Sequence, residues 1–257
     1  MTEDSREYQQ KKAFFDRVLT IYGRKPCLEA VSDPEVTVYR LHLSESNKPA
    51  PLLDQLISTA RERGAEIVYH DKHALSRISK NAKQDQGVAL DLLMNQFSDY
   101  QTVVDNGLAS GDSLIALDRI TNPQNLGMII RSVCASPVAG LILPRKGCSK
   151  LDSLVIKAST GTLFRTPVVR CDSLATCLQA MKNTGALVVG LDARASLQAP
   201  DLPADRPLIF VLGNETEGLS PEVRNQCDEF ISIPMRNRVE SLNVAVTASL
   251  LAFRGCV

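Results

Sequence analysis

The chain has 257 residues, 29 basic against 29 acidic side chains for a net charge of zero, and 44% hydrophobic residues. This is the profile of a globular protein of one large or two modest domains, able to bury a core without disulfides or a structural metal. No run approaches the ~20 apolar residues that a membrane-spanning helix needs, and the first 25 residues mix both charge signs without the apolar block of a signal peptide, so the expectation is a cytoplasmic protein.

In chain order, VTVYRLHL (36–43), LLDQLISTARERG (52–64), AEIVYH (65–70) and GVALDLLM (87–94) read as strand, helix, strand and strand. Leu52, Leu53, Leu56, Ile57 and Ala60 share one helical face, and Gly64 stands where a left-handed glycine stops a helix. The polar stretch 98–112 holds Asp105-Asn106-Gly107 and Ser110-Gly111-Asp112. Such turn residues mark it as a linker, dividing the chain into 1–105 and 106–257.

Beyond it, LIAL (114–117), GLILP (140–144), ALVVG (186–190), LIFVLG (208–213) and FISIP (230–234) read as buried strands. Helical segments are expected at 125–136, 152–159, 173–183, 220–227 and 242–253. That alternation implies an α/β domain with a parallel sheet covered on both faces, whose ligands bind past the carboxyl ends of the strands. Those ends read Asp118-Arg119, Pro144-Arg145, Gly213-Asn214-Glu215 and Pro234-Met235-Arg236.

Seven cysteines, odd in number and without a C-x-x-C pair, do not cluster with His42, His70 or His73. They read as free, mostly buried thiols, and no metal site is expected. The zero net charge conceals an asymmetry: between Arg119 and Arg170 eight basic residues face the single acid Asp152, a local charge of +7. Such a segment suits a polyanion, or else a solvated face. No glycine-rich dinucleotide or P-loop signature occurs.

Three other segments carry the chemistry: NPQNLGMIIR (122–131), LGNETEGL (212–219) and IPMRNRVESLNV (233–244). Each has an ordinary structural reading. Asn125 is a good N-cap, Gly213 and Gly218 suit a tight loop, and Ser241 or Asn243 can cap the last helix.

In this order, the three segments resemble the motifs of the SpoU/TrmH group of RNA ribose 2′-O-methyltransferases, within the SPOUT superfamily. VIKASTGTLFRTPV between them fits as well. The N-terminal part resembles the small ribosomal-protein-like substrate-binding domain of ribosomal RNA members, with Tyr22-Gly23-Arg24-Lys25-Pro26 and Asp85-Gln86-Gly87-Val88 as landmarks; Asp85 stands where that pattern commonly has histidine. The resemblance implies a C-terminal parallel-sheet SPOUT domain with a trefoil knot, a homodimer, and S-adenosyl-L-methionine as cofactor. It assigns Asn125, Arg131, Glu215, Ser241 and Asn243 to catalysis. The cofactor falls to backbone at Gly213, Ile233 and Leu242, with Leu212, Asn214 and Pro234 beside them. Arg145, Lys146, Arg236 and Arg238 are the expected RNA contacts.

An activated methyl group needs no metal; the ribose hydroxyl must be oriented and relieved of its proton. A guanidinium is effectively never deprotonated in a protein, so Arg131 reads as an electrostatic clamp on phosphate or developing alkoxide. The implied substrate is a guanosine of large-subunit ribosomal RNA. The alternatives are transfer RNA or another nucleotide, and a non-catalytic RNA-binding protein with this fold.

Overall fold

The computed structural model describes residues 14–15, 17–203, 205–237 and 239–254; Arg238, named above, and Cys256, one of the seven cysteines, lie outside the described residues. The chain forms two compact units, one from residues up to 95 with 151–153, the other from 96–150 and from 154 onward.

The first unit contains β1 (Val18–Tyr22), α1 (Arg24–Ser32), β2 (Thr37–Ser44), α2 (Pro51–Glu62), β3 (Glu66–His70), α3 (Lys72–Ser79) and β4 (Val88–Leu93). Its sheet has the order β1-β4-β2-β3, with β4 antiparallel to both neighbours and β3 parallel to β2. α2 buries Leu53, Leu56 and Ala60. It ends as the glycine foretold: Gly64 adopts φ +74°, its N–H bonds Arg61 O, and Ala65 N–H reaches back to Ala60 O, the paired bonds of a Schellman stop. β1, α1 and α3 carry weaker periodicity and were not legible as elements. α3 begins at Asp71, whose Oδ1 accepts from His73 N and Ala74 N, both at 2.8 Å.

The second unit contains β5 (Phe97–Asp99), α4 (Tyr100–Asn106), β6 (Ser113–Leu117), α5 (Pro123–Ala135), β7 (Gly140–Pro144), α6 (Ser153–Ala158), β8 (Val168–Cys171), α7 (Leu174–Asn183), β9 (Leu187–Leu191), β10 (Leu208–Leu212), α8 (Pro221–Arg224), β11 (Glu229–Ile231) and α9 (Val244–Ala252). Seven strands in the order β11-β9-β10-β6-β7-β8-β5 pair in parallel throughout. Every residue of β7 and β10 is buried, as parallel strands sandwiched between helices require.

The segment expected to be a linker is not one. Phe97 buries itself and pairs with Val168, Asp99 caps α4 by accepting from Gln101 N, and Tyr100, Val103, Val104 and Leu108 pack on the core beneath α7 and β9. The turn residues from Gly107 to Asp112 are real, but Asp105 and Asn106 form the end of helix α4. β8 was also overlooked, because its four residues VVRC lie in a stretch that reads as polar overall.

Candidate active site

The site is assembled where the strand order reverses. β6 and β10 run side by side, Leu117 level with Leu212. The chain leaves β6 toward β7 and leaves β10 toward β11 on the opposite side, which opens a crevice beyond their carboxyl ends. Asp118 N–H closes on Leu212 O at 2.8 Å, and the buried Asp118 carboxylate accepts from Ser220 N at 2.6 Å. Arg119 adopts φ +59°, a left-handed conformation uncommon for any residue but glycine. From there its guanidinium pairs with Glu217 and donates to Gly218 O, while Asn214 Nδ2 donates to Arg119 O.

Asn214 also accepts from Thr216 N and Glu217 N, so the loop 213–218 is folded upon itself. Gly213 is glycine for that reason: a Cβ there would sit 2.4 Å from the Gly218 carbonyl carbon. The close approach is made by the loop's own backbone. Gly127 has a similar explanation, since a Cβ would meet Ala158 Cβ at 2.4 Å at the end of α6.

α5 is capped by Asn122, which accepts from Gln124 N and Asn125 N. Asn125, expected as the cap, lies inside the first turn instead, because Pro123 occupies the first helical position and needs no N–H partner. The displacement gives Asn125 a different task. Buried to 8% exposure, it donates through Nδ2 to Glu215 and accepts at Oδ1 from Asn243 Nδ2 at 3.0 Å. Asn243 is the cap of α9, accepting from Ala245 N at 2.8 Å. One hydrogen-bonded chain, Glu215–Asn125–Asn243, therefore joins the three motifs.

A cavity of about 400 Å³ opens nearby, walled by Leu191, Asp192, Ala193, 231–235, 239–242 and Thr247. Ile233, Pro234, Ser241 and Leu242 are among its walls; Leu212, Gly213 and Asn214 are not. The contribution of Leu191-Asp192-Ala193 was missed, although the rule of strand ends points there, since β9 lies between β10 and β11. Asp192 is held ionised: the Arg194 backbone N–H and the Arg224 guanidinium at 2.7 Å depress its pKa to about 2. Arg224 in turn stacks 4.3 Å above the Phe230 ring.

Arg131 does not join this cluster. It is exposed on α5 and makes no ion pair among the described residues, on the same face as Met128, which is 42% exposed. α9 packs beside α5, Ser132 Oγ meeting Ser249 Oγ at 2.7 Å, and presents Val246 and Leu250 at 47% and 52% exposure. Of the expected RNA contacts, Lys146 and Arg236 are exposed. Arg145 is instead bound by Asp99 and Asp172, each at 3.2 Å, which ties β7 to β5 across the sheet edge. Two of the eight cations of the +7 segment, Arg119 and Arg145, are compensated by acids outside it.

Of the described cysteines, Cys27, Cys171 and Cys177 are buried and Cys134, Cys148 and Cys227 half-buried, all with free thiols; burial pushes Cys227 up to about 11, whereas the hydrogen bond with Cys177 lowers Cys171. Among the described residues no cluster of metal-ligating side chains occurs, and no helix is long and apolar enough to cross a membrane.

Comparison with known proteins follows the same lines. A family model for RNA 2′-O ribose methyltransferase substrate binding matches residues 20–98, and one for the SpoU rRNA methylase family matches residues 112–253. An uncharacterized tRNA/rRNA methyltransferase of Mycobacterium avium is 33% identical over 90% of this chain and 75% of its own length. Among solved structures, an AdoMet-bound rRNA methyltransferase of Sinorhizobium meliloti superposes with a TM-score of 0.63 at 23% identity, covering 95% of this chain and 88% of its own. The SpoU methyltransferase AviRb of Streptomyces viridochromogenes, also with AdoMet, gives 0.62 at 24% identity, covering 98% and 91%. The two likenesses establish the fold, and the family models name its two parts, an RNA substrate-binding domain followed by a SpoU methylase domain. With its catalytic unit matched along nearly its whole length and its three motifs joined by one hydrogen-bonded chain, the protein belongs to the SpoU rRNA methylase family.

Proposed function

We propose that this RNA methyltransferase transfers a methyl group from S-adenosylmethionine to a ribose 2′-hydroxyl, with a guanosine of large-subunit ribosomal RNA as acceptor. The observation that carries the reading is the Glu215–Asn125–Asn243 chain beside a cavity of ligand size. The first unit favours ribosomal RNA, being the substrate-binding kind that the resemblance connects with ribosomal members; the Mycobacterium avium relative carries both RNA classes in its name.

The cavity fits the cofactor by its chemistry. Leu191, Ile231, Ile233, Pro234 and Leu242 offer apolar walls to a flat base, and Asp192, Ser232, Ser241 and Thr247 offer polar atoms. When bound, S-adenosylmethionine supplies a methyl group already activated by its sulfonium, so the chain need only orient the acceptor and manage its proton. Asn243 spends its oxygen on Ala245 N and an N–H on Asn125; its part is to fix the start of α9. Ser241, exposed at the rim, is free to bond the ribose. Glu215 commits one oxygen to Asn125 and keeps the other for the substrate or for Arg131.

Arg131 acts in this proposal as an electrostatic clamp across a homodimer. Met128, Val246 and Leu250 form an exposed apolar stripe on the packed pair α5 and α9, and a second copy seated there would bring its arginine to this site. The same proposal takes in the trefoil knot that the resemblance implies. Mapping 2′-O-methyl marks in ribosomal and transfer RNA from a strain lacking this protein tests the acceptor. A single lost mark in large-subunit RNA is expected; a mark lost from transfer RNA rejects that substrate.

A further inference from the structure

The loop between β10 and α8 carries Glu215, and the way that loop is held decides where Glu215 reaches. Within itself the loop closes through Asn214 N–H to Gly218 O at 3.1 Å and Gly218 N–H to Asn214 O at 2.9 Å. Such a loop is stiff, but nothing in its own bonds fixes its orientation toward α5. Its attachment to α5 is the bond from Asn125 Nδ2 to Glu215. Three more attachments run to a single residue, Arg119. Its guanidinium pairs with Glu217 and donates from Nη2 to Gly218 O at 3.1 Å, and its backbone O accepts from Asn214 Nδ2 at 3.1 Å.

Arg119 is well based for a tether. Asp118 N–H bonds Leu212 O at 2.8 Å before it, and Ser149 N–H bonds Ile120 O at 2.7 Å after it. Its own conformation is costly. It stands at φ +59°, which is uphill for any residue with a Cβ, and such residues gather at functional sites. Its Nε is buried with no hydrogen bond among the described residues, 3.7 Å from Asp118 Oδ1. The ion pair does not offset these costs. The Arg119 side chain is 33% exposed and that of Glu217 66%, and pairs so open to water add little to stability. Folding stability therefore does not account for this arginine, whereas the placement of the loop it grips does.

We propose that Arg119 is a positioning residue for the methyl transfer. By gripping Glu217 and Gly218 it holds the loop in the orientation in which Glu215 bonds Asn125, and so fixes where the second oxygen of Glu215 meets the acceptor. Arg119 itself touches neither substrate nor cofactor; it acts through Glu215. A displacement of about 1 Å at a reacting centre can cost about a hundredfold in rate, so a tether that adds little stability can still govern turnover. The proposal rests on the reading that Glu215 serves methyl transfer to RNA.

The test uses the full chain, S-adenosylmethionine labelled in its methyl group, and total RNA from a strain lacking this protein. Arg119→Gln should lower kcat by about ten- to a hundredfold. The apparent KM for this RNA, and the Kd for S-adenosylmethionine by calorimetry, should each stay within about twofold, because no ground-state contact is lost. Glu217→Gln should lower kcat by less, since Gly218 O keeps its bond. Glu217 is exposed, so this variant also serves should Arg119→Gln fail to fold. The exchange R119E/E217R should be more active than R119E alone, because it restores the pair. Single-turnover rates with enzyme in excess then separate the routes. Added to Glu215→Gln, Arg119→Gln should cost nothing further, because a tether has no effect once the group it places is gone. Wild-type kcat in both Arg119→Gln and Glu217→Gln, or an Arg119→Gln loss that multiplies with that of Glu215→Gln, overturns the tether. A raised RNA KM at unchanged kcat makes Arg119 an RNA contact and overturns it as well. Full activity in Glu215→Gln, or no methylation of this RNA by the wild type, overturns the reading of the site and the tether with it, a result seen apart from the others.

Discussion

The two sheets of this molecule treat polar side chains in opposite ways. Across the four-stranded sheet runs a hydrogen-bonded line with one member per strand: Thr20 Oγ1 to Asp91 Oδ1 at 2.6 Å, Asp91 Oδ2 to His42 Nε2 at 2.9 Å, and His42 Nδ1 to His70 Nε2 at 2.9 Å. The seven-stranded sheet has no such line among its described residues; β7 and β10 are apolar and buried throughout, and polar groups start at Asp118 and Asn214, past the strand ends. A parallel sheet covered on both faces has no water for a polar side chain midway along a strand, and an unpaired one would cost several kcal/mol. Chemistry is thereby driven to the ends, where loops of unrelated sequence position are brought together. The mixed sheet is freer, because a line of mutually bonded groups satisfies itself.

The sharpest way to break this comparison is to remove the arginine proposed to reach the strand-end site from a second copy, or a member of the chain that builds that site. Arg131→Ala should lower turnover by about a thousandfold, the loss expected for one strong electrostatic contact to a transition state, with the Kd for S-adenosylmethionine changed less than about twofold. Arg131→Lys should recover little, since a point charge does not reproduce a planar fork. A matching loss of cofactor affinity in calorimetry would show that Arg131 belongs to the cofactor subsite. Asn125→Ala should also lower turnover, and by more than Asn243→Ala, because Asn125 is the member that touches both others.

The second break is made in the backbone. A chain beginning at Gln96 keeps β5 and α4 and should fold, dimerise and bind S-adenosylmethionine as the full protein does, while losing most activity on long RNA. A chain beginning at Ser110 discards Phe97, Tyr100, Val103, Val104 and Leu108 from the second core and strips Asp99 from Arg145. With about 1.5–3 kcal/mol for each large apolar side chain fully buried, it should be less stable by about 3 kcal/mol or more. Urea denaturation of the two truncated chains decides this; equal midpoints would mean that β5 and α4 add nothing.

This contrast also shows what could be read from the sequence. β6, β7, β9 and β10 were legible because a strand buried on both faces is an unbroken apolar run, and Gly64 because a left-handed stop admits few other residues. β5 and α4 were not, since they bury one face only and their polar residues and turn signals dominate the composition. In the site, the motif spacing marked Asn125, Glu215 and Asn243 but could not show that they bond to one another, because that depends on β6 and β10 being neighbours. Pro123 is the signal that could have placed the cap at Asn122, but the sequence reading set it at Asn125. Leu191-Asp192-Ala193 carries no motif and became a cavity wall only through strand order. The compensation of Arg145 by Asp99 and Asp172 was likewise hidden, since those acids are distant in sequence.

The smallest effect belongs to the line across the four-stranded sheet. Burial, and then the adjacent His42, push the His70 pKa below its ordinary value; Arg40 adds to the depression, and Asp71 and Glu45 oppose it. The unfolded chain therefore binds a proton more readily than the folded one. Stability from this group is present above the unfolded value, near ~6.5, and is lost as pH falls through the lower folded value. Melting the full protein between pH 7.5 and 5.5 should show a modest decline over the window in which most carboxylates stay ionised. Because His70 is only partly buried, the decline should be smaller than any effect above. His70→Gln removes the proton-binding group and leaves an amide able to face His42, so its melting temperature should vary less across the same window. If the variant declines as steeply as the wild type, the pH sensitivity lies elsewhere, and the polar line is a static feature of the sheet.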